Sequence, residues 1–274
     1  MVIGSILTVL ILGYLILLCP RIIHRPDRKM FTQTRFYAHR GLHDNHSDAP
    51  ENSLPAFQKA VDAGYGIELD VQLTKDRVPV VFHDDSLRRV CGVDATVDSL
   101  TYAQLLELHL FDTNEQIPTF AQVLSLVNGR VPLIVEYKME MRHDTSVCEL
   151  AGNMLDAYHG EYCIESFNPK ALIYYRKHHP AVLRGQLSQV FAQHGMKKNG
   201  LMRIVFWAMA HLLLNIATAP DFIAYDCRDR LEISHLLCRK LYRTVGAAWT
   251  VKSRGELNEI SNAFDVFIFE GFQP

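Results

Sequence analysis

Short apolar runs rich in Val, Ile, Phe and Tyr recur at Phe36–Ala38, Gly66–Val71, Leu133–Tyr137, Tyr162–Ser166, Val182–Leu187, Phe222–Tyr225, Ala247–Val251 and Val266–Phe269. Most lack the apolar–polar alternation of a half-exposed strand, so they predict strands buried on both faces. Helical patterns such as Leu54–Ala63, Ser146–Tyr158, Pro169–His178 and Arg254–Ala263 lie between them. Strand–helix alternation implies a parallel sheet, and eight repeats of it imply an α/β fold of the (β/α)8 TIM-barrel type. A further run, Val78–Phe82, is separated from its predecessor by Gln72–Arg77 alone. A parallel crossover needs about a dozen residues, so this pair predicts a hairpin arm after the second strand. The polar and helical stretch 84–120 then becomes an insertion over the barrel mouth.

One longer run breaks this rhythm. Val2 to Leu18 is apolar apart from Ser5, Thr8 and Tyr14, and carries no charge. At about 1.5 Å per residue it reaches roughly 26 Å, which predicts a transmembrane anchor over residues 1–19. Arg21, Arg25, Arg28 and Lys29 follow it, within a basic linker at 20–35 where Pro20 and Pro26 discourage a continuous helix. The positive-inside rule then predicts a single-pass cell-membrane protein whose domain, residues 36–274, is cytoplasmic. A second apolar stretch, Leu201–Thr218, has Arg203 as its only permanent charge, and Lys197 and Lys198 stand just before it. As part of a unit at 197–218 it predicts a helix lying in a lipid interface, the alternative being a buried or oligomeric helix.

Composition narrows the classes. The 274 residues suffice for one barrel and an appendage. With 28 basic and 30 acidic residues the formal charge is −2, which argues against a nucleic-acid partner. Six scattered cysteines include no CxxC pair, which argues against a disulfide framework or a zinc site.

Against this apolar background, a few charged clusters stand out. His39 and Arg40 close the first strand, where barrel active sites are built. Glu68 and Asp70 alternate along the second strand and so share a face; Glu136 and Lys138 repeat the spacing two elements later. Buried carboxylates on one face repel unless a proton or cation lies between them. Three of them make a hard oxygen site suited to one Mg²⁺ or Ca²⁺. His83-Asp84 closes the hairpin arm and brings a second imidazole to the same mouth. Alone, His39-Arg40 reads as structural or solvated, Glu68 with Asp70 as a solvated pair, and Glu136 with Lys138 as a surface ion pair. Four such clusters at the ends of apolar strands are too costly to bury without function.

The stretch from His39 to Asp84 resembles the glycerophosphodiester phosphodiesterase family, in the form of a membrane-anchored bacterial-type member. It contains His39-Arg40-Gly41, Pro50-Glu51-Asn52-Ser53, Ala56-Phe57, Glu68-Leu69-Asp70-Val71, Thr74-Lys75-Asp76 and His83-Asp84. Glu136-Tyr137-Lys138, Ser166-Phe167-Asn168 and Trp249-Thr250-Val251 extend the similarity over most of 36–251. Two departures are Ser53 for the usual Thr, and an ending Phe269-Glu270-Gly271-Phe272-Gln273-Pro274 in place of a Thr-Asp-x-Pro-like close.

The resemblance implies metal-dependent hydrolysis of a glycerophosphodiester to glycerol 3-phosphate and an alcohol, at a membrane surface. It implies that Glu68, Asp70 and Glu136 hold one divalent cation, Mg²⁺ or Ca²⁺. Arg40 and Lys138 would grip phosphate oxygens, and His39 and His83 would share acid and base work in an order left open. The nucleophile is water or the neighbouring glycerol hydroxyl. Glu51 becomes a further metal or glycerol contact, or a helix cap; Phe167 and Trp249 wall the alcohol pocket, or pack the core. The apolar 201–218 segment admits a lysophospholipid substrate and a lysophospholipase D-like activity. A catalytically silent phospholipid-binding barrel is the reading from another class.

Overall fold

Every apolar run predicted as a strand pairs as one in the computed structural model, which describes residues 2–23, 27–139, 144–193 and 200–274, less the side chain of Val2. The strands are β1 (Phe36–His39), β2 (Gly66–Leu73), β3 (Pro79–Val81), β4 (Leu133–Tyr137), β5 (Tyr162–Ser166), β6 (Leu183–Ser188), β7 (Phe222–Asp226), β8 (Val245–Val251) and β9 (Val266–Phe269). Parallel pairing runs β1–β2–β4–β5–β6–β7–β8–β9 and returns to β1, closing the barrel. β3 pairs antiparallel with β2, Val71 opposite Val81, as the predicted hairpin. The architecture is a (β/α)8 TIM barrel.

The helices are α1 (Val2–Leu18), α2 (Lys29–Gln33), α3 (Leu54–Asp62), α4 (Arg88–Cys91), α5 (Tyr102–Leu105), α6 (Phe120–Val127), α7 (Ser146–Asp156), α8 (Pro169–His178), α9 (Leu201–Ala210), α10 (Asn215–Thr218), α11 (Ile233–Lys240) and α12 (Arg254–Ile260). α3 starts where Ser53 caps it, its hydroxyl accepting from the Ala56 N–H, with a proline in the first turn. Within the 20–35 segment α2 folds because Met30 and Phe31 bury at the base of the barrel, where Phe31 meets Phe222 edge-on at 5.0 Å. Residues 24–26 of that segment, including Arg25, lie outside the described residues, as do Lys197 and Lys198.

The period of two along each strand positions the site. Ile67, Leu69 and Val71 of β2, with Leu133, Val135 and Tyr137 of β4, pack outward in the shell shared with the helices. Ile134 and Cys163 belong to the barrel interior. Glu68, Asp70, Glu136 and Glu165 therefore face inward, towards the carboxyl ends of the strands. The insertion 84–120 has a small core of its own, formed by Leu87, Val90, Val97, Leu105, Leu110 and Ile117 together with Val80 and Phe82 of the arm. Its Asp85, Thr96 and Asp98 line a cavity shared with Lys138.

The expectation of a single-pass cell-membrane protein is corrected. Among the described residues, no helix is long and apolar enough to cross a membrane. α1 has 17 residues, and its last turn belongs to the barrel. Leu18 is fully buried, its carbonyl accepts from Asn215 Nδ2 at 3.0 Å, and the Leu15 carbonyl accepts from Tyr242 Oη at 2.6 Å. The apolar run thus overstates the free helix: the part before Tyr14 reaches only about 18 Å, against a hydrocarbon core of about 30 Å. With the span gone, the flanking Arg and Lys residues carry no orientation, and the cytoplasmic placement goes with it.

The second apolar stretch is also interrupted. α9 ends at Ala210, Leu212 adopts φ +56°, and α10 follows. Met209, Ala210 and Leu212 are buried, whereas Leu201, Ile204 and Trp207 are exposed by 75%, 62% and 55%.

Candidate functional site

The carboxyl ends of β1, β2, β4 and β5 bring one polar layer together. Strand register sets His39 beside Glu68, Asp70 beside Glu136, and Glu136 beside Glu165. Ligand oxygens of Glu68, Asp70 and Glu136 lie within 4.8 Å of one another, and all three residues are buried. Burial raises the Glu68 carboxyl well above its ordinary range, and Asp70 and Glu136 add to the effect. Burial also raises Glu136, though Lys138 opposes it. At Asp70 the balance reverses: Lys138, His83 and Arg40 outweigh burial and hold the carboxyl down. Among the described residues, Asp70 Oδ1 has no hydrogen bond besides its ion pair with Lys138 Nζ at 3.0 Å. Crowded hard-oxygen donors whose charge Lys138 and Arg40 offset only in part fit a divalent ion well.

Both predicted histidines carry a carboxylate on Nδ1. His39 Nδ1 lies 2.6 Å from Glu270 Oε2, and His83 Nδ1 lies 2.6 Å from Asp84 Oδ1. A carboxylate only accepts, so each contact places the proton on Nδ1 and leaves Nε2 for the mouth. His39 Nε2 stands 3.8 Å from Glu68 Oε2. Burial, then Arg40, pushes the His39 imidazole down to about 4, against the pull of Glu270. Glu270 is held well below the usual carboxylate range because His39, His43 and Lys252 outweigh its burial.

Arg40 sits in a left-handed turn, φ +55°, followed by Gly41 at φ +83°. A Cβ on Gly41 would fall 2.9 Å from the Ala56 backbone, so the close approach to α3 requires glycine here. Arg40 Nη1 donates to Glu51 Oε1 at 2.7 Å, and Nε is 3.5 Å from Asp70 Oδ2. Lys138 Nζ bridges Asp70 Oδ1 and Glu136 Oε1, the latter at 2.7 Å. Both predicted anion grips therefore border the carboxylate cluster and balance its charge.

Glu51 stands apart from the cluster, with both oxygens engaged by Arg40, Arg89 and Asn45. Ser53, not Glu51, caps the helix. Phe167 and Trp249 meet edge-on at 5.6 Å, and a file of aromatic contacts continues from Phe167 to Phe191 (5.8 Å) and on to Phe206 of α9 (5.0 Å).

Four residues escaped the sequence reading. Glu165 is buried beside Glu136, and burial raises its carboxyl far above normal; its signal was a lone acid alternating with Cys163. Glu270 orients His39. Asn52 Nδ2 donates to Asp70 Oδ2 at 2.9 Å. Arg89 of the insertion clamps Glu51 and Asp84, the partner of His83.

A sequence model of the Glycerophosphoryl diester phosphodiesterase family matches residues 39–225. A glycerophosphodiester phosphodiesterase of Bacillus altitudinis is 38% identical over 114 residues, which is 39% of this chain and 45% of that protein. A human lysophospholipase D is 35% identical over 97 residues, 35% of this chain and 30% of that protein. Both matches thus span less than half of these relatives' length. The solved phosphodiesterase of Oleispira antarctica, in complex with the product sn-glycerol-3-phosphate, superposes with a TM-score of 0.70 at 20% identity, covering 88% of this chain and 94% of that one.

Proposed function

The chain belongs to the glycerophosphoryl diester phosphodiesterase family, and on that premise we propose that it hydrolyses glycerophosphodiesters to glycerol 3-phosphate and an alcohol. The observation that carries the reading is the buried trio Glu68, Asp70 and Glu136, flanked by two carboxylate-held imidazoles and two cationic side chains. A divalent cation held by the trio, Mg²⁺ or Ca²⁺, would supply Lewis acidity and neutralise charge developing on the phosphoryl oxygens.

His39, with Nδ1 tied to Glu270, presents Nε2 as the base that takes a proton from the attacking hydroxyl, whether of water or of the adjacent glycerol carbon. His83 takes the complementary part and delivers a proton to the leaving alcohol oxygen, its ring held by Asp84 and Arg89. Arg40, its Nη1 held by Glu51, offers its remaining N–H groups as a fork to the non-bridging phosphate oxygens, and Lys138 serves them as a point charge. Glu51 and Asn52 keep Arg40 and Asp70 in place.

The test is turnover of glycerophosphocholine and glycerophosphoglycerol in EDTA, Mg²⁺ or Ca²⁺. Hydrolysis of at least one diester, abolished by EDTA and restored by one of the two ions, is expected. No turnover under any condition would leave a silent phospholipid-binding barrel in front. Glu270→Gln is expected to lower kcat by at least about tenfold, because an amide can donate to Nδ1 and favour the wrong tautomer. Unchanged kcat would remove Glu270 from the mechanism.

The aromatic file from Trp249 to Phe206 ends on the packed face of α9, behind the exposed Leu201, Ile204 and Trp207, and favours a second reading in which a lysophospholipid is also a substrate. The likeness to human lysophospholipase D points the same way. On this reading α9 touches the lipid surface and the acyl chain follows the aromatic file. A double variant, Ile204→Ser with Trp207→Ser, is expected to slow hydrolysis of micellar lysophosphatidylcholine about tenfold, since each side chain forfeits apolar burial. Glycerophosphocholine turnover should stay unchanged; equal losses on both substrates would count against lipid contact through α9.

A further inference from the structure

At the end of the barrel opposite the carboxylates, α1 and the chain after it wall a cavity of about 550 Å³. Arg176 of α8, Ile216 of α10 and Arg184, near the start of β6, complete it. Leu12, Leu15, Ile16 and Ile216 give apolar walls, whereas Arg21, Arg176 and Arg184 give guanidinium groups. Beside these arginines stands the fully buried Asp221, whose Oδ2 accepts from the Arg184 N–H at 3.2 Å and lies 3.7 Å from Arg21 Nη1. Two of the arginines are partly spent on carbonyls: Arg21 Nη1 donates to Pro180 O at 2.8 Å, and Arg176 Nη1 to Ile216 O and Ala217 O.

Arg184 differs from both. It is 2% exposed and its Nε donates to Thr218 O at 3.0 Å, but its buried Nη1 finds no hydrogen-bond partner among the described residues. Burial pushes the guanidinium down to about 10, the direction expected of a cation short of counter-charge. An unsatisfied N–H on a buried cation is costly, and an oxyanion is what it would take as a partner. The cavity is within the size range of ordinary ligand pockets, mostly apolar with a few convergent polar groups.

We propose that this cavity binds a single-chain anionic amphiphile. The oxyanion head lies against Arg184 with Arg21 and Arg176, and the hydrocarbon chain runs along Leu12, Leu15 and Ile16. Among the described residues, three guanidinium groups and no carboxylate line the cavity, which selects an anion, and the apolar walls select a chain over a bare ion. A fatty carboxylate and a lysophosphatidate share this chemistry. The site is separate from the mouth and independent of the hydrolysis proposed there.

Calorimetric titration of the full chain tests it, with oleate, oleoyl lysophosphatidate, neutral monooleoylglycerol and inorganic phosphate, each below its micelle concentration. At least one anionic amphiphile should saturate a single site, and the preferred one names the head group. Monooleoylglycerol and phosphate should bind about tenfold more weakly or worse, since each lacks one half of the recognition. Arg184→Gln should weaken the amphiphile about tenfold. Should that buried variant fail to fold, Ile216→Trp fills the cavity from a position 45% exposed and should weaken binding without altering any charge. The proposal is overturned by no saturable binding of either amphiphile, or by affinity unchanged in the variants. Phosphate or monooleoylglycerol binding as tightly as the anionic amphiphile overturns it as well.

Discussion

Glu68→Gln is expected to lower diester hydrolysis by about 10³-fold while making the metal-free protein more stable. The loss follows from the ligand set: one of three crowded carboxylates goes, and several kcal/mol of transition-state charge stabilisation goes with the weakened cation. The gain follows from the same crowding. Burial, with Asp70 and Glu136 close by, raises the Glu68 carboxyl far above normal, so its ionised form opposes folding when no cation is bound. Glutamine keeps an oxygen for the Arg40 N–H, which Glu68 Oε2 now accepts at 3.2 Å, and removes the charge. The penalty in the wild type is absent while Glu68 is protonated and grows as pH rises past the ordinary carboxylate range. The stability difference should therefore widen with pH. Each kcal/mol recovered should raise Tm by roughly 2–4 °C for a domain of this size. Thermal melts in EDTA at pH 5 and pH 8, beside turnover in Mg²⁺ and Ca²⁺, check both signs. A variant that is less stable without metal, or as active as wild type with it, would contradict the role given to the trio.

His39→Ala should show the complementary pattern: turnover falls by about 10²–10⁴-fold with cation affinity nearly unchanged. His39 reaches Glu68 only across 3.8 Å, so removing the ring takes away a proton acceptor and leaves the carboxylate trio standing. Partial recovery of turnover on adding imidazole would mark the missing base, because a free imidazole can enter the space left at the mouth. Metal titration and kcat measured together separate the two variants. Parallel losses of affinity and rate in His39→Ala would make its role structural support of Glu68 instead of proton transfer.

Much of the barrel was legible because its strands are buried on both faces. Runs such as Leu133–Tyr137 and Phe222–Tyr225 could afford little polarity, and the short separation before Val78 excluded a parallel crossover. The polar exceptions were legible for the same reason: Glu68, Asp70, Glu136, His39, Arg40 and Lys138 interrupt apolar surroundings, and period two decides which of them share a face. Their convergence then follows from in-register pairing of Asp70 with Glu136 and of His39 with Glu68.

Local pattern determined the strands, the hairpin and the acidic layer, because those depend on burial alternating along one segment. Tertiary structure alone decided which distant groups meet. Glu270 reaches His39 because β9 closes against β1, a contact no local pattern announces. Arg89 clamps Glu51 across the mouth because the insertion folds on its own core. Glu165 joins the layer because β5 pairs with β4. The apolar start of the chain shows the same division: hydropathy counts residues along one helix, and only packing revealed that Leu18 and its carbonyl belong to the barrel. Hydrophobic pattern reports how much a segment must bury, while its partner is set by chain closure in three dimensions.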